Sequence, residues 1–145
     1  YCGFDLNETF INKSKSKYKL NKNFMFFNKS VDEIDFNEFN SENSLIILIG
    51  LFHHINDEQV RSFNFKTKRF KVLAIDAVKM DDQKNITKLL LALDRGDYIR
   101  KLNDYKELLP EYNFFTARNK YLRFSYDHLV SAKNIENHII KDIFI

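Results

Sequence analysis

The sequence predicts an α/β fold: an open, mostly parallel sheet with flanking helices and a late antiparallel strand. Three observations carry this. Short apolar runs rich in Ile, Phe and Val alternate with polar, helix-compatible stretches as far as Ala77. The run Leu45–Ile49 is continuously apolar, the pattern of a strand buried on both faces in a parallel sheet. The runs also end on small or polar residues (Asp5, Asn28, Gly50 and Asp76), which places those positions on one edge of the sheet. In open α/β sheets ligands sit at the carboxyl ends of the strands.

Taken in order, YCGFDL (Tyr1–Leu6) reads as a short strand ending on an acid. Asn7–Tyr18 reads as a weak helix opened by Asn7 and loosened by its serine–lysine alternation. NFMFFN (Asn23–Asn28) reads as a second strand buried on both faces. Ser30–Asn43 is an acidic connection or short helix that turns Val31, Ile34, Phe36 and Phe39 inward. Leu45–Ile49 is the central strand. Asn56, followed by Asp57, Glu58 and Gln59, is a helix start with a capping side chain, acids in the first turn and Gln three residues on. RFKVLAIDA (Arg69–Ala77) is the next strand. Lys84–Asp94 is a leucine-rich helix that stops at Gly96 as a C-terminal cap. Asn103 opens a short helix closed by Pro110, and Asn113–Thr116 and Tyr121–Ala132 are two final strands.

The 145 residues suffice for one domain with a real core, spanning 1–145. The apolar run Leu45–Phe52 falls well short of the roughly 20 residues that a membrane helix needs. No basic region followed by an apolar run opens the chain, so no export signal is expected. Cys2 is the single cysteine, which excludes an internal disulfide and a cysteine-based zinc site and makes a cytoplasmic setting the expectation. Net charge is a mild +3, and the densest basic stretch is Arg61–Lys71, RSFNFKTKRFK, with five positive charges and three phenylalanines. Such interleaving can track a phosphate backbone. It equally describes a helix exit and strand entry with a buried Phe face and a solvated Lys face. No second basic stripe accompanies it, so neither a nucleic acid nor a membrane is expected as a partner.

Several residues have the chemistry for a site. Asp5, at a strand end, has the carboxylate that accepts hydrogen bonds from ribose hydroxyls, or else caps the next helix. Gly50 has no side chain, so a ligand can approach the backbone there, or it marks a bulge. His53 and His54 follow. With an ordinary pKa near 6.5, a pocket histidine can take a proton from a substrate hydroxyl. The other reading makes one of the pair a helix-start contact and the other, more naturally His54, a packed core ring. No third ligand has metal-site spacing, so no metal is expected. In DRGDYIR (Asp94–Arg100), the arginines suit carboxylate or phosphate groups on a ligand, or pair with Asp94 and Asp97.

These pieces together resemble the small-molecule, class I (Rossmann-like) S-adenosylmethionine-dependent methyltransferases. YCGFDLN looks like their second strand, SLIILIGLFHHINDEQV like their fourth strand and the helix after it, and FKVLAID like their fifth. DRGDYIRKLNDYKELL resembles a segment before the last two strands, and the correspondence covers most of residues 1–132. The resemblance implies S-adenosyl-L-methionine as cofactor. Asp5 would bind its ribose, Leu6 would pack on the adenine, Ser30 and Val31 would lie at the adenine edge, and Gly50 and Leu51 would line the methionine portion. His53 would be the general base, with His54, Arg95, Arg100 and Tyr105 holding a small-molecule or sugar-like acceptor. The family's glycine-rich first strand and turn would precede Tyr1. The Asn/Asp-Pro-Pro-aromatic signature of nucleobase amino-methyltransferases is absent, which argues against a base as acceptor. The rival expectation is a non-catalytic binding or scaffold domain of the same architecture, favoured by the missing glycine-rich turn and by Ser30 where many relatives carry an acid.

Overall fold

The computed structural model describes residues 1–83, 85–117 and 128–144. The chain divides into two compact units, residues 1–38 and 39–145. Its strands form two sheets, one in each unit.

In the first unit, β1 (Cys2–Asp5) pairs in parallel with β2 (Met25–Asn28), joined through α1 (Glu8–Lys17). A parallel pair needs such a crossover, because a tight turn can only join antiparallel neighbours. α1 starts where expected. The Asn7 side chain accepts from the Phe10 amide, Glu8 sits in the first turn and Lys15 and Lys17 in the last, each matched to the helix dipole. Ile11 is its buried residue, and Tyr1, Tyr18, Phe24 and Phe26 form an aromatic cluster with centroids 4.8–6.4 Å apart. β2 differs from the expectation of burial on both faces: Met25 and Phe27 are exposed. β1 is its one pairing strand and α1 packs on the pair, so Phe26 is half-buried while Phe27 lies beside Phe4 and stays partly open to solvent. The acidic connection that follows forms two single 3-10 turns, Val31–Glu33 and Phe36–Glu38, and Val31, Ile34, Phe36 and Phe39 are half-buried.

The second unit contains β3 (Leu45–Ile49), α2 (Asp57–Lys66), β4 (Lys71–Ala77), α3 (Asn85–Ala92), α4 (Leu102–Leu108), β5 (Asn113–Ala117), β6 (His128–Lys133) and α5 (Asn137–Phe144). The sheet order is β3-β4-β6-β5. β3 and β4 are parallel, from Leu45 opposite Lys71 to Ile49 opposite Ile75, whereas β6 runs antiparallel to both β4 and β5. The late antiparallel strand is therefore β6. The predicted stretch Tyr121–Ala132 is strand from His128, and residues 121–127 lie outside the described residues.

β3 is the terminal strand of its sheet rather than a central one. Leu45, Ile47 and Ile49 are 50%, 54% and 78% exposed. The apolar cluster under Ile140 of α5 takes in Leu73 and Ile75 of β4 and Phe115 of β5, and includes no residue of β3. The leucine-rich helix is likewise only partly covered: Leu91 is buried against Ala77 and Ile99, while Ile86, Leu89 and Leu93 are exposed. α4 opens on Lys101 rather than on Asn103, with the Asp104 carboxylate accepting from the Lys101 amide. In the basic stretch, Phe63 and Phe70 are core, Phe65 is exposed, and Arg61, Lys66, Lys68, Arg69 and Lys71 face solvent.

Lys133 and Asn134, at the end of β6, fasten the end of α2. Lys133 Nζ donates to Asn64 Oδ1 at 2.7 Å, and Asn134 Nδ2 donates to Phe70 O at 2.8 Å and Lys68 O at 3.1 Å. A cation at a helix C-terminus meets the unsatisfied carbonyls there. Burial lowers the Lys133 pKa from its ordinary value. Beside it the buried Tyr112 hydroxyl has no hydrogen-bond partner among the described residues. No described helix is long and apolar enough to cross a membrane.

Candidate functional site

The site begins where β3 ends. Gly50 donates its amide to Ile75 O at 2.8 Å, one residue beyond the regular ladder, and then adopts φ +64°, a backbone conformation that costs a non-glycine residue. The chain turns through Leu51–His54, closed by the His54 amide on Leu51 O at 3.0 Å. It enters α2 at Asn56. There Asn56 Oδ1 accepts from the Gln59 amide and Gln59 Oε1 accepts from the Asn56 amide, the reciprocal cap that the sequence predicts.

Asp76 organises this turn. β3 and β4 are parallel, so their carboxyl ends lie side by side and put Asp76 beside Gly50–His53. Asp76 is 3% exposed. Its Oδ2 accepts from the Phe52 amide at 2.6 Å. Its Oδ1 accepts from the amides of Ala77 at 2.9 Å and His53 at 3.2 Å, and lies 2.5 Å from His53 Nδ1. A buried carboxylate is tolerated when it is paired and fully hydrogen-bonded, and this one is. The interaction places the proton of a neutral His53 on Nδ1, leaving Nε2 as the acceptor.

Nε2 in turn faces a second carboxylate: Asp94 Oδ1 is 3.4 Å away. The same oxygen accepts from the Gly96 amide at 2.8 Å, and the Tyr98 amide donates to His53 O at 3.0 Å. Gly96 lies flat against the ring, where a Cβ would fall 2.1 Å from His53 Cδ2 and 2.7 Å from His53 O. Close approach, not capping, is what requires glycine here. α3 has already ended at Ala92, and Gly96 has no positive φ. Burial pulls the His53 pKa down. The Asp76 hydrogen bond and the charges of Asp76 and Asp94 more than offset this, so it lies above the ordinary 6.5.

Arg100 holds the assembly from behind. It is 8% exposed. Its Nη1 donates to Phe52 O at 2.6 Å and Tyr98 O at 3.1 Å. Its Nη2 donates to Ile55 O at 2.8 Å and Asp57 Oδ1 at 2.7 Å, and Nε donates to the same carboxylate oxygen at 2.9 Å. Tyr105 packs beneath the guanidinium, with its ring centroid 5.8 Å from Arg100 Cζ. It is 1% exposed and donates to Ala77 O at 3.2 Å, and burial raises its pKa far above 10.

The structure thus brings together Gly50, Leu51, His53, His54, Arg100 and Tyr105 of the predicted site residues. His54 is the exposed member of the histidine pair, its ring tilted against His53 with centroids 4.0 Å apart, and His53 is the packed one, the reverse of the core-ring reading given to His54. Arg100 and Tyr105 are scaffold: the Arg100 guanidinium points its donors at the turn, and Tyr105 lies beneath it. Arg95 is exposed. In the first unit, Asp5 is exposed at the end of β1 and its Oδ1 accepts from the Asn7 amide at 2.7 Å. Asn28 Nδ2 donates to Asp5 O and Leu6 O, both at 2.9 Å. Leu6 is 73% exposed, Ser30 donates its amide to Glu33 Oε2 at 2.7 Å, and Val31 begins the first 3-10 turn. Sequence reasoning placed Asp76 at a strand end without connecting it to His53. The signal was available, because two adjacent parallel strands end their apolar runs at Ile49 and Ile75.

No family model and no curated protein matches the sequence. Solved structures do match. The N-methyltransferase NodS from Bradyrhizobium japonicum WM9 superposes with a TM-score of 0.63 at 11% identity, over 93% of this chain and 73% of that one. The citrinin polyketide synthase CMeT domain gives 0.62 at 12%, over 94% and 39%. Magnesium protoporphyrin IX methyltransferase (ChlM) from Synechocystis PCC 6803, solved with bound SAH, gives 0.57 at 15%, over 90% and 62%. The chain spans well under two thirds of the CMeT domain and just under two thirds of ChlM. The fold is therefore that of the class I, Rossmann-like S-adenosylmethionine-dependent methyltransferases.

Proposed function

We propose that the chain is part of an S-adenosylmethionine-dependent methyltransferase acting on a small molecule, with His53 as the group that accepts the acceptor's proton. The observation that carries this is the His53–Asp76 pair at the strand-end turn opened by Gly50, in a fold shared with solved methyltransferases such as NodS. The cofactor supplies a methyl group on a sulfonium, ready for in-line displacement. The residues fit it in part. In the second unit Gly50 turns at a strand end with φ +64° and Leu51 follows it, and by the family resemblance these two would line the methionine portion. In the first unit Asp5 is exposed at the end of β1, where the resemblance gives it the ribose and gives Leu6, Ser30 and Val31 the adenine. A glycine-rich turn is not among the 145 residues, whose other glycines, Gly3 and Gly96, pack against Phe26 and His53.

Asp76 fixes the His53 tautomer and steadies the cation formed when Nε2 takes the proton. When bound, the cofactor would supply the methyl group, and the part left to this chain is to receive the proton that the acceptor oxygen or nitrogen loses. The acceptor's proton passes to Nε2. Alignment of the acceptor and exclusion of water supply most of the remaining rate.

A second reading, a non-catalytic binding domain, is favoured by one observation: in this structure both ring nitrogens of His53 face carboxylates. Isothermal titration of the chain with S-adenosylmethionine separates the two. Heat of binding that disappears in Asp5→Ala supports the enzyme reading. No heat, from a chain shown to be folded, favours the second.

A further inference from the structure

Asp94 is not used by the proton transfer just described, yet it sits at the one atom that transfer needs. His53 Nε2 is 3.4 Å from Asp94 Oδ1, and the ring is buried, with a side-chain exposure of 8% against 14% for Asp94. Two further contacts hold the segment Asp94–Tyr98 over the ring, and one within the segment shapes its bend. The Gly96 amide donates to Asp94 Oδ1, the Gly96 backbone lies against the imidazole with no room for a Cβ, and the Tyr98 amide donates to His53 O. Arg100 ties the same segment to the turn that carries His53, because its Nη1 reaches both Tyr98 O and Phe52 O.

We infer that Asp94 is a positioning residue for His53 and that the strap carrying it, Asp94–Tyr98, must lift before an acceptor reaches Nε2. With the strap down, the imidazole lies between two carboxylates and the acceptor's place is taken by Asp94. An acceptor bearing a hydroxyl or amine proton replaces that contact with its own hydrogen bond to the ring. The strap has the means to move. It is a short connection between α3 and α4, and Arg95 and Asp97 on it are exposed. The inference rests on His53 being the proton acceptor, but its test does not need the cofactor.

The test uses diethyl pyrocarbonate, which acylates accessible neutral imidazole, with the modified sites read by peptide mass spectrometry, together with an NMR titration of the His53 ring. Among the described residues, the ring's charged or titratable neighbours are Asp76 on β4, Asp94 on the strap and His54, tilted against it. In the unchanged protein His53 should react several-fold more slowly than the exposed His54. In Asp94→Asn the His53 pKa should fall, and its modification should quicken relative to His54. Asp94→Glu should restore both toward the parent values. Gly96→Ala, which forces the strap off the ring, should quicken modification while leaving the Asp76 contact, and so an elevated pKa, in place. A purely structural Asp94 would move the melting temperature without this split. The inference is overturned if His53 of the unchanged protein reacts as fast as His54. It is also overturned if Asp94→Asn, folded by circular dichroism, leaves both rate and pKa where they were. Neither readout involves methyl transfer, so a failure here leaves the methyltransferase reading standing, and a chain that binds no S-adenosylmethionine still tests the strap.

Discussion

His53 Nδ1 and Asp76 Oδ1 lie 2.5 Å apart, joining the turn after β3 to the end of β4. The same carboxylate takes the amides of Phe52, His53 and Ala77. One side chain therefore shapes the turn and orients the imidazole. Removing its charge should disturb both.

Asp76→Asn keeps the shape and removes the charge, and one amide oxygen cannot accept all four donors. Breaking a buried charged pair in this way costs about 3–5 kcal/mol. Urea denaturation should show a loss of that order. The His53 pKa, followed by NMR, should drop, because the hydrogen bond that raises it is gone.

His53 should also make stability depend on pH. Its folded-state pKa is raised above the unfolded value near 6.5. A raised histidine pKa contributes stability that is fully present below the unfolded pKa and is lost as pH rises through the folded one. Melting temperatures measured upward from pH 6 should therefore fall across that window in the parent and stay flatter in His53→Gln. Methyl transfer that requires neutral His53 should rise over the same window.

Arg100→Gln should cost about 3 kcal/mol or more, because it leaves the carbonyls of Phe52 and Ile55 without their buried donor. Arg100→Lys recovers little, since one ammonium cannot reproduce the planar fork that spans two carbonyls and the Asp57 carboxylate. Thermal denaturation of the two variants checks this.

Tyr112→Phe should be neutral or stabilising by up to about 1 kcal/mol, because a buried hydroxyl without a partner carries a desolvation cost. A rise in the urea midpoint is the expected outcome. A loss above 1 kcal/mol would show that the hydroxyl is bonded in solution.

Local signals made most of the elements legible. Asn7 and Asn56 announced two helix starts, and the apolar runs marked β1 to β4, because capping and strand periodicity are written within a few neighbouring residues. Context was harder to read. Leu45–Ile49 has a central-strand composition but ends a sheet, since periodicity reports what a strand is suited to bury and not what is packed on it. Gly96 resembled a helix cap because its partner, His53, is distant in sequence. Arg100 resembled a ligand-binding arginine for the same reason: its carbonyl partners at Phe52 and Ile55 leave no trace in the local pattern. For the site, the His53 turn was visible and its two carboxylate neighbours were not assembled. Asp76 was recoverable from parallel register, whereas Asp94 depends on the path of the chain after α3.

The outer rim of β3 has a practical bearing on solution work. Leu45, Ile47 and Ile49 are exposed on a strand that, among the described residues, is the terminal one of its sheet. Edges of this kind invite a second chain to continue the ladder. Preparations of these 145 residues should self-associate as concentration rises, and a lysine at Ile47 should keep them dispersed.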